Sequence, residues 1–165
     1  MIDLPLVLSP LTHASLPAID RLDARAFGPG RFARSAYRLR EGAEPELALS
    51  FVAHVGTLLV GANRMTAITC GGQRALLLGP LTVEPAFHKR GIGAALVERS
   101  LAAARQGGHR LVILVGDEPY YRRFGFFRVP PGRLTLPGPV DTGRLLVCEL
   151  ASGAFEGVSG VVGRG

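Results

Sequence analysis

Val83 to Leu96 read VEPAFHKRGIGAAL, and this stretch decides the fold. Gly91 and Gly93 stand one residue apart, with His88-Lys89-Arg90 before them and helix formers behind. Residues 91–106 (GIGAALVERSLAAARQ) put Ile92, Leu96, Val97, Leu101 and Ala104 on one broad face, and Gly107-Gly108 supplies a stop. The glycine pair therefore opens an amphipathic helix. The first N–H groups of a helix lack partners, and the helix dipole adds partial positive charge there. Without Cβ atoms at 91 and 93, a pyrophosphate can approach those amides directly, and Lys89 and Arg90 add charge. An ordinary tight loop is the alternative that the spacing alone leaves open.

Working outward, QRALLLGPLTV (73–83) reads as a central strand interrupted by Gly79-Pro80. Proline donates nothing to a ladder, and a glycine inside a strand commonly marks a bulge. Such a break frees backbone amides near Leu81 to Val83 for a carbonyl oxygen or an extended ligand, although a plain edge bulge has the same signature.

Upstream, ELALSFVAH (46–54) alternates as a half-buried strand. TLLVGANRMTAITC (57–70) continues as a long strand, with Gly71-Gly72 as a hairpin signal. The middle of the chain is thus an antiparallel meander. Before it, LVLSPLT (6–12) predicts a first strand. Residues 13–28 predict a helix with Leu16, Ile19, Leu22 and Ala26 on one face, and 31–42 a second short helix.

Downstream, HRLVILVGD (109–117) is the apolar run of a doubly covered strand, and EPYYRRFGF (118–126) a short helix with proline near its first turn. FFRV (126–129) and RLLVCEL (144–150) predict strands. The tail ASGAFEGVSGVVGRG (151–165) has little to pack, so its end is expected to be loosely held.

Several classes are argued against. A P-loop needs GxxxxGK[ST], which is absent. The dinucleotide fingerprint needs a third glycine where Leu96 stands, directly after a strand of a βαβ unit. The net charge of +6 invites nucleic acid, but Lys89 is the only lysine and the arginines are dispersed, so no such partner is expected. Cys70 and Cys148 lack metal-site spacing, which fits a reducing cytoplasm and no metal. MIDLPLVLSP shows no secretory pattern, and no run is long enough for a membrane span. The length suits one domain over 1–165, with the tail from about 151, and no linker divides it. A homodimer is compatible with this sequence and not required by it.

The order V-x-P-x-x-H-K-R-G-I-G-x-x-L, then helix, strand and GDEPYYRRFGF (116–126), with FEGVSGVV (155–162) in the tail, resembles the GNAT N-acetyltransferase superfamily, in particular its YhbS-like branch. The similarity runs from Pro45 to Val162. It implies an α/β (α+β) fold: a mixed, twisted, mostly antiparallel sheet flanked by helices and splayed between the fourth and fifth strands. It also implies acetyl-CoA as acyl donor and transfer to a primary amine of a small molecule or protein. A non-catalytic acyl-CoA-binding or sensing module is the alternative.

The resemblance further implies that backbone at His88, Lys89, Arg90, Gly91, Ile92, Gly93 and Ala94 holds the pyrophosphate. Leu81, Thr82 and Val83 would pair with the pantetheine arm, and Tyr120 and Phe124 would lie on the coenzyme side. His88 departs from the Gln or Arg usual in the family, which implies altered anchoring. Acetyl transfer needs a neutral amine, a stabilised oxyanion and a proton for the leaving thiolate. Tyr121, four residues before Gly125, stands where many GNAT enzymes carry a tyrosine acid. Asp117 ranks first for the base by position, ahead of Glu84, His54 and His13, with water chains as another route. Residues 26–38 and 130–144, holding Arg31, Arg34, Tyr37 and Arg38, are expected to overhang the acyl end and set acceptor choice. Their arginines hint at an acidic acceptor, although a solvated basic face explains them as simply.

Overall fold

The computed structural model describes residues 5–28 and 35–165. Its frame is one sheet. Strands β1 (Leu6–Pro10), β2 (Phe51–Val55), β3 (Leu58–Cys70) and β4 (Gln73–Val83) form the antiparallel meander, with Gly71-Gly72 at the last turn. Beyond it lie β5 (Leu111–Val115), β8 (Leu145–Glu149) and β6 (Phe127–Arg128), giving the order β1-β2-β3-β4-β5-β8-β6. Only the β4–β5 pairing along this path is parallel. Helices α1 (Leu16–Phe27), α2 (Ser35–Arg40), α3 (Ile92–Gln106) and α4 (Glu118–Tyr121) complete the frame.

The central strands alternate between two apolar faces, as doubly covered strands must. Leu76 and Leu78 of β4 and Val112 and Leu114 of β5 pack with Val97, Leu101 and Ala104 of α3. Leu77 and Ile113 point the other way, toward Leu39 of α2 and the C-terminal segment. On that side Ile19 of α1 covers Val52 and Ala62.

Three expectations are corrected. Residues 47–49 form a single 3-10 turn, and β2 begins only at Phe51. Ser50 explains this: its hydroxyl donates to the Glu46 carbonyl (2.8 Å) and accepts from the Met65 amide (2.9 Å). A buried side chain thus takes over bonds that a strand would make with its backbone.

The C-terminal segment is docked rather than loosely held. Phe155, Val158 and Val162 are buried, and β9 (Gly160–Arg164) pairs antiparallel with Ile68–Cys70 of β3 and parallel with β7 (Leu134–Thr135). Arg133 stacks on the Phe155 ring (4.0 Å to its centroid) and donates to the Phe155 and Val158 carbonyls. Gly71 makes the approach feasible, since a Cβ there would collide with the Ser159 carbonyl.

On α1, the expected stripe of Leu16, Ile19, Leu22 and Ala26 is shifted. Ile19, Leu22 and Asp23 are buried, while Ala26 is exposed. A carboxylate therefore occupies part of the sheet-facing surface. Of the second predicted helix, residues 31–34 lie outside the described residues, and 35–40 are helical.

Candidate active site at the sheet splay

The break in β4 fixes the site. Asn63 pairs with Leu81 and Met65 with Leu78, so Arg64 alone opposes Gly79 and Pro80. This is the bulge that those two residues predict. β4 pairs with β5 only at Leu76 and Leu77, so past Leu77 the strands diverge. A cavity of about 980 Å³ opens there. Its floor runs from Leu78 to Leu81 on β4, its far wall from Leu114 to Asp117 with Tyr120 and Tyr121, and its near wall is α1 and α2.

Tyr121 is positioned by a glycine. Its ring lies on Gly116, where a Cβ would stand 2.7 Å from a ring carbon, and edge-on to Phe126 with centroids 5.8 Å apart. Burial pushes its phenol up to about 12, with Tyr120 and Asp117 adding to the shift and Arg144 opposing it. Desolvation disfavours the phenolate, so the group holds its proton throughout the neutral range.

Tyr120 faces the opposite way. A Cβ on Gly93 would come within 2.9 Å of its hydroxyl, so this tyrosine spans from the cavity to the start of α3. Its phenol is also raised, chiefly by burial. Phe124 is buried between the two tyrosines, at 5.7 Å and 6.2 Å, and reaches the cavity only through them.

Asp117 lies exposed on the cavity rim. Its carbonyl accepts from the Tyr120 and Tyr121 amides (3.1 Å each), and its side chain makes no cap bond. Glu84 is instead ion-paired to Arg25 (2.8 Å), away from the cavity lining. His54 on β2 and His13 before α1 are likewise outside that lining.

The glycine loop lies beside the cavity. Lys89 (φ 63°) and Gly91 (φ 79°) both take the left-handed conformation, which turns the chain into α3. The first helical bond runs from the Ala95 amide to the Gly91 carbonyl (3.0 Å), so the Ile92, Gly93 and Ala94 amides precede the ladder. The space a Cβ on Gly91 would enter has no atom within 4 Å. The Ile92 side chain is buried with Phe51 and Leu96, which anchors the helix and leaves only its backbone to the loop surface.

The exposed His88 donates from Nε2–H to the Val83 carbonyl (3.0 Å), while its amide donates to the Pro85 carbonyl (3.3 Å). Arg90 stacks on Phe87 at 5.0 Å, and Lys89 is exposed. Thr82 is buried toward α1, whereas Leu81 and Val83 face α3.

The two segments expected to overhang the acyl end meet there. Tyr37 lines the cavity, and Arg38 donates to the Pro137 carbonyl (3.1 Å), tying α2 to the 130–144 loop. Arg31 and Arg34 fall outside the described residues. Cavity-lining residues that sequence reasoning missed include Asp20, Asp23, Arg40, Glu41 and Arg64. The signal for Asp23 was present, because position 23 follows Ile19 by four and so falls on the apolar stripe. Among the described residues no cluster of acidic, histidine or cysteine side chains suits a metal, and no helix is long and apolar enough to cross a membrane.

Known proteins are similar to this chain in sequence and fold. Residues 46–127 match the family model of the acetyltransferase (GNAT) domain. The chain is 28% identical over 148 residues to the uncharacterised N-acetyltransferase YhbS of Escherichia coli K12, covering 88% of each chain. The crystal structure of E. coli YhbS in complex with CoA superposes with a TM-score of 0.84 at 25% identity, over 100% of this chain and 92% of that one. A GNAT family acetyltransferase from Brucella melitensis in complex with acetyl-CoA gives 0.64 at 26% identity, over 92% and 99%. Residues 46–127 are thus a GNAT acetyltransferase domain, and the chain as a whole is similar to YhbS in sequence and fold.

Proposed function

We propose that the protein is an acetyl-CoA-dependent N-acetyltransferase that moves the acetyl group directly to a primary amine, with Tyr121 as general acid and the chain acting as one catalytic domain. The observation that carries this reading is the opening of the sheet at Leu78, with Tyr121 on the wall facing the bulged strand.

The residues present fit the donor. The Ile92 to Ala94 amides and the open space at Gly91 suit a pyrophosphate, with Lys89 and Arg90 adding positive charge and the His88 backbone completing the turn. Beyond Leu77 the β5 side of β4 carries no strand, so the backbone groups of the Leu81 to Val83 segment that face away from β3, apart from the Val83 carbonyl that His88 occupies, are available to the amide groups of a pantetheine arm. His88 braces the end of β4 through Val83 instead of reaching the phosphates with its ring. The CoA and acetyl-CoA bound by the two GNAT relatives support the same ligand here. When bound, acetyl-CoA supplies an activated acetyl thioester.

Two tasks then fall to the chain. A backbone N–H of the freed β4 segment polarises the acyl oxygen, as pre-organised donors do in water-poor sites. Tyr121 holds a proton at Oη for the departing sulfur. A free thiol titrates at about 8.5, well below this phenol, but the desolvation that raises Tyr121 raises a thiolate in the same cavity too. The mismatch is thereby narrowed.

The test is Tyr121→Phe assayed with acetyl-CoA and a panel of alkylamines. A drop in kcat of about 10²-fold or more with near-unchanged KM for acetyl-CoA is expected for a lost general acid. Unchanged kcat would remove Tyr121 from this role.

A further inference from the structure

Asp23 is a buried carboxylate for which the donor-side chemistry has no use. It projects from α1 onto the sheet with a side chain only 9% exposed. The Thr82 hydroxyl donates to its Oδ1 at 2.6 Å, which ties it to the β4 segment proposed to hold the donor. Its Oδ2 has a weaker partner: Arg64 Nη2 stands 3.4 Å away and gives its short contact, 2.6 Å, to Asp20 instead. Charge neutralisation at Asp23 is therefore partial. Asp23 on α1 and Tyr121 at the end of α4 line the same cavity, and Leu81 of the bulged strand also belongs to its lining.

The environment is asymmetric in the sense a base needs. Burial raises the carboxyl above its ordinary value; the Thr82 hydroxyl lowers it, Arg64 on β3 lowers it, Asp20 on the same helix raises it, and Arg40 on α2 lowers it. Desolvation is the largest of these influences. A carboxylate raised in this way is a better proton acceptor than one in water. Asp117, the position-based candidate, lies exposed on the cavity rim.

We propose that Asp23 is the proton acceptor for the incoming amine, working in the same cavity as Tyr121. This rests on the N-acetyltransferase reading above. Asp23 Oδ2 takes one proton from the ammonium R–NH₃⁺, leaving R–NH₂. The nitrogen lone pair forms the bond to the acetyl carbon as that carbon's bond to sulfur breaks, and Tyr121 Oη–H protonates the departing sulfur. The second N–H proton restores Tyr121, and Asp23 releases its own to solvent. One proton leaves per turnover, as amide formation from an ammonium requires. Asp23 therefore faces an unhindered alkylammonium, and Arg64 sets how strongly it holds the charge.

The experiment compares wild type, Asp23→Asn and Asp23→Glu in two steps. Desulfo-CoA is first titrated into each by calorimetry. Equal binding by all three is expected. Loss in wild type would sink the coenzyme A reading itself, whereas loss in Asp23→Asn alone would make Asp23 a strut for the donor strand and overturn the proposal.

n-Butylammonium is then titrated into the desulfo-CoA complexes across pH, and acetyl transfer to n-butylamine is followed in parallel. Wild type should bind the ammonium less tightly as the pH falls through the raised Asp23 value. Asp23→Asn should lose about tenfold or more in that binding, along with its pH dependence, and about 10²-fold or more in kcat. Asp23→Glu should restore part of both. Ammonium binding by Asp23→Asn equal to wild type, an unchanged acid limb, or wild type that binds desulfo-CoA but ignores n-butylammonium would each overturn the assignment.

Discussion

Tyr121 rests on a glycine, and that contact lends itself to measurement. Replacing Gly116 with alanine would set a methyl 2.7 Å from the ring and 2.8 Å from Leu114, so the ring must shift. Overpacking of this kind costs about 1–3 kcal/mol, and a displaced acid should also lower kcat, which steady-state kinetics beside a melting curve would record. The pH profile is a second test at this scale. With the phenol raised to about 12, the protonated form that can donate persists up to that value and is lost only above it. No alkaline fall in kcat is expected from Tyr121 below about pH 10, the ordinary value of a phenol. A fall centred near neutrality that vanished in Tyr121→Phe would contradict the assignment. Asp23 also makes a prediction about stability. Its raised carboxyl keeps its proton in the folded state over a window where the unfolded chain, titrating at about 3.9, has lost it. Wild-type stability therefore declines as the pH rises through that window, and the melting temperature of Asp23→Asn should gain on wild type over the same range and run parallel above it.

At the scale of elements, α1 is strapped to the sheet by polar contacts rather than by an apolar stripe alone. Asp23 reaches Thr82, Asp20 reaches Arg64, and Arg25 reaches Glu84, so two of the three ties end on β4 or its exit. The meander, the Gly71-Gly72 hairpin, the α3 boundaries and the broken β4 were all legible, because each is written in local periodicity or in residues with one backbone use. What was not legible depends on partners distant in sequence. Ser50 looks like any strand residue until the Met65 amide is opposite it, and the stripe on α1 reads as apolar until Thr82 and Arg64 give Asp23 a reason to turn inward. The tail has weak patterning of its own and folds because the far edge of β3 at Ile68–Cys70 is open to it. Gly71→Ala tests that account: the added methyl collides with the Ser159 carbonyl at a position that also needs a left-handed backbone (φ 55°). Hydrogen exchange should rise in residues 158–164 while the core of β4 and β5 stays protected. Unchanged exchange in the tail would refute it.

Over the whole molecule, one departure from regular pairing creates both halves of the site. β4 leaves β5 after Leu77, which leaves a strand edge unpaired on that side and opens a cavity beside it. The helix that begins at Ile92 starts beside the same strand, with Gly93 close to the Leu81 and Val83 side chains. We assign acceptor choice to the near wall, where α2 is tied to the 130–144 loop through Arg38. That wall carries Asp20, Asp23 and Glu41 beside Arg40, with Arg64 and Arg144 elsewhere in the lining, while Arg31 and Arg34, on which the hint of an acidic acceptor partly rested, lie outside the described residues. The central claim is that coenzyme A lies across Gly91 and the splayed edge of β4. It is tested most directly by calorimetric titration of desulfo-CoA into wild type and Gly91→Glu, with circular dichroism as the control for fold. A carboxylate placed in the open space at Gly91 should abolish binding by repelling the pyrophosphate, while the left-handed backbone there costs about 1–2 kcal/mol and leaves the fold intact. Saturable binding by wild type and none by a folded Gly91→Glu is the predicted result; no binding by wild type, or equal binding by both, would contradict it.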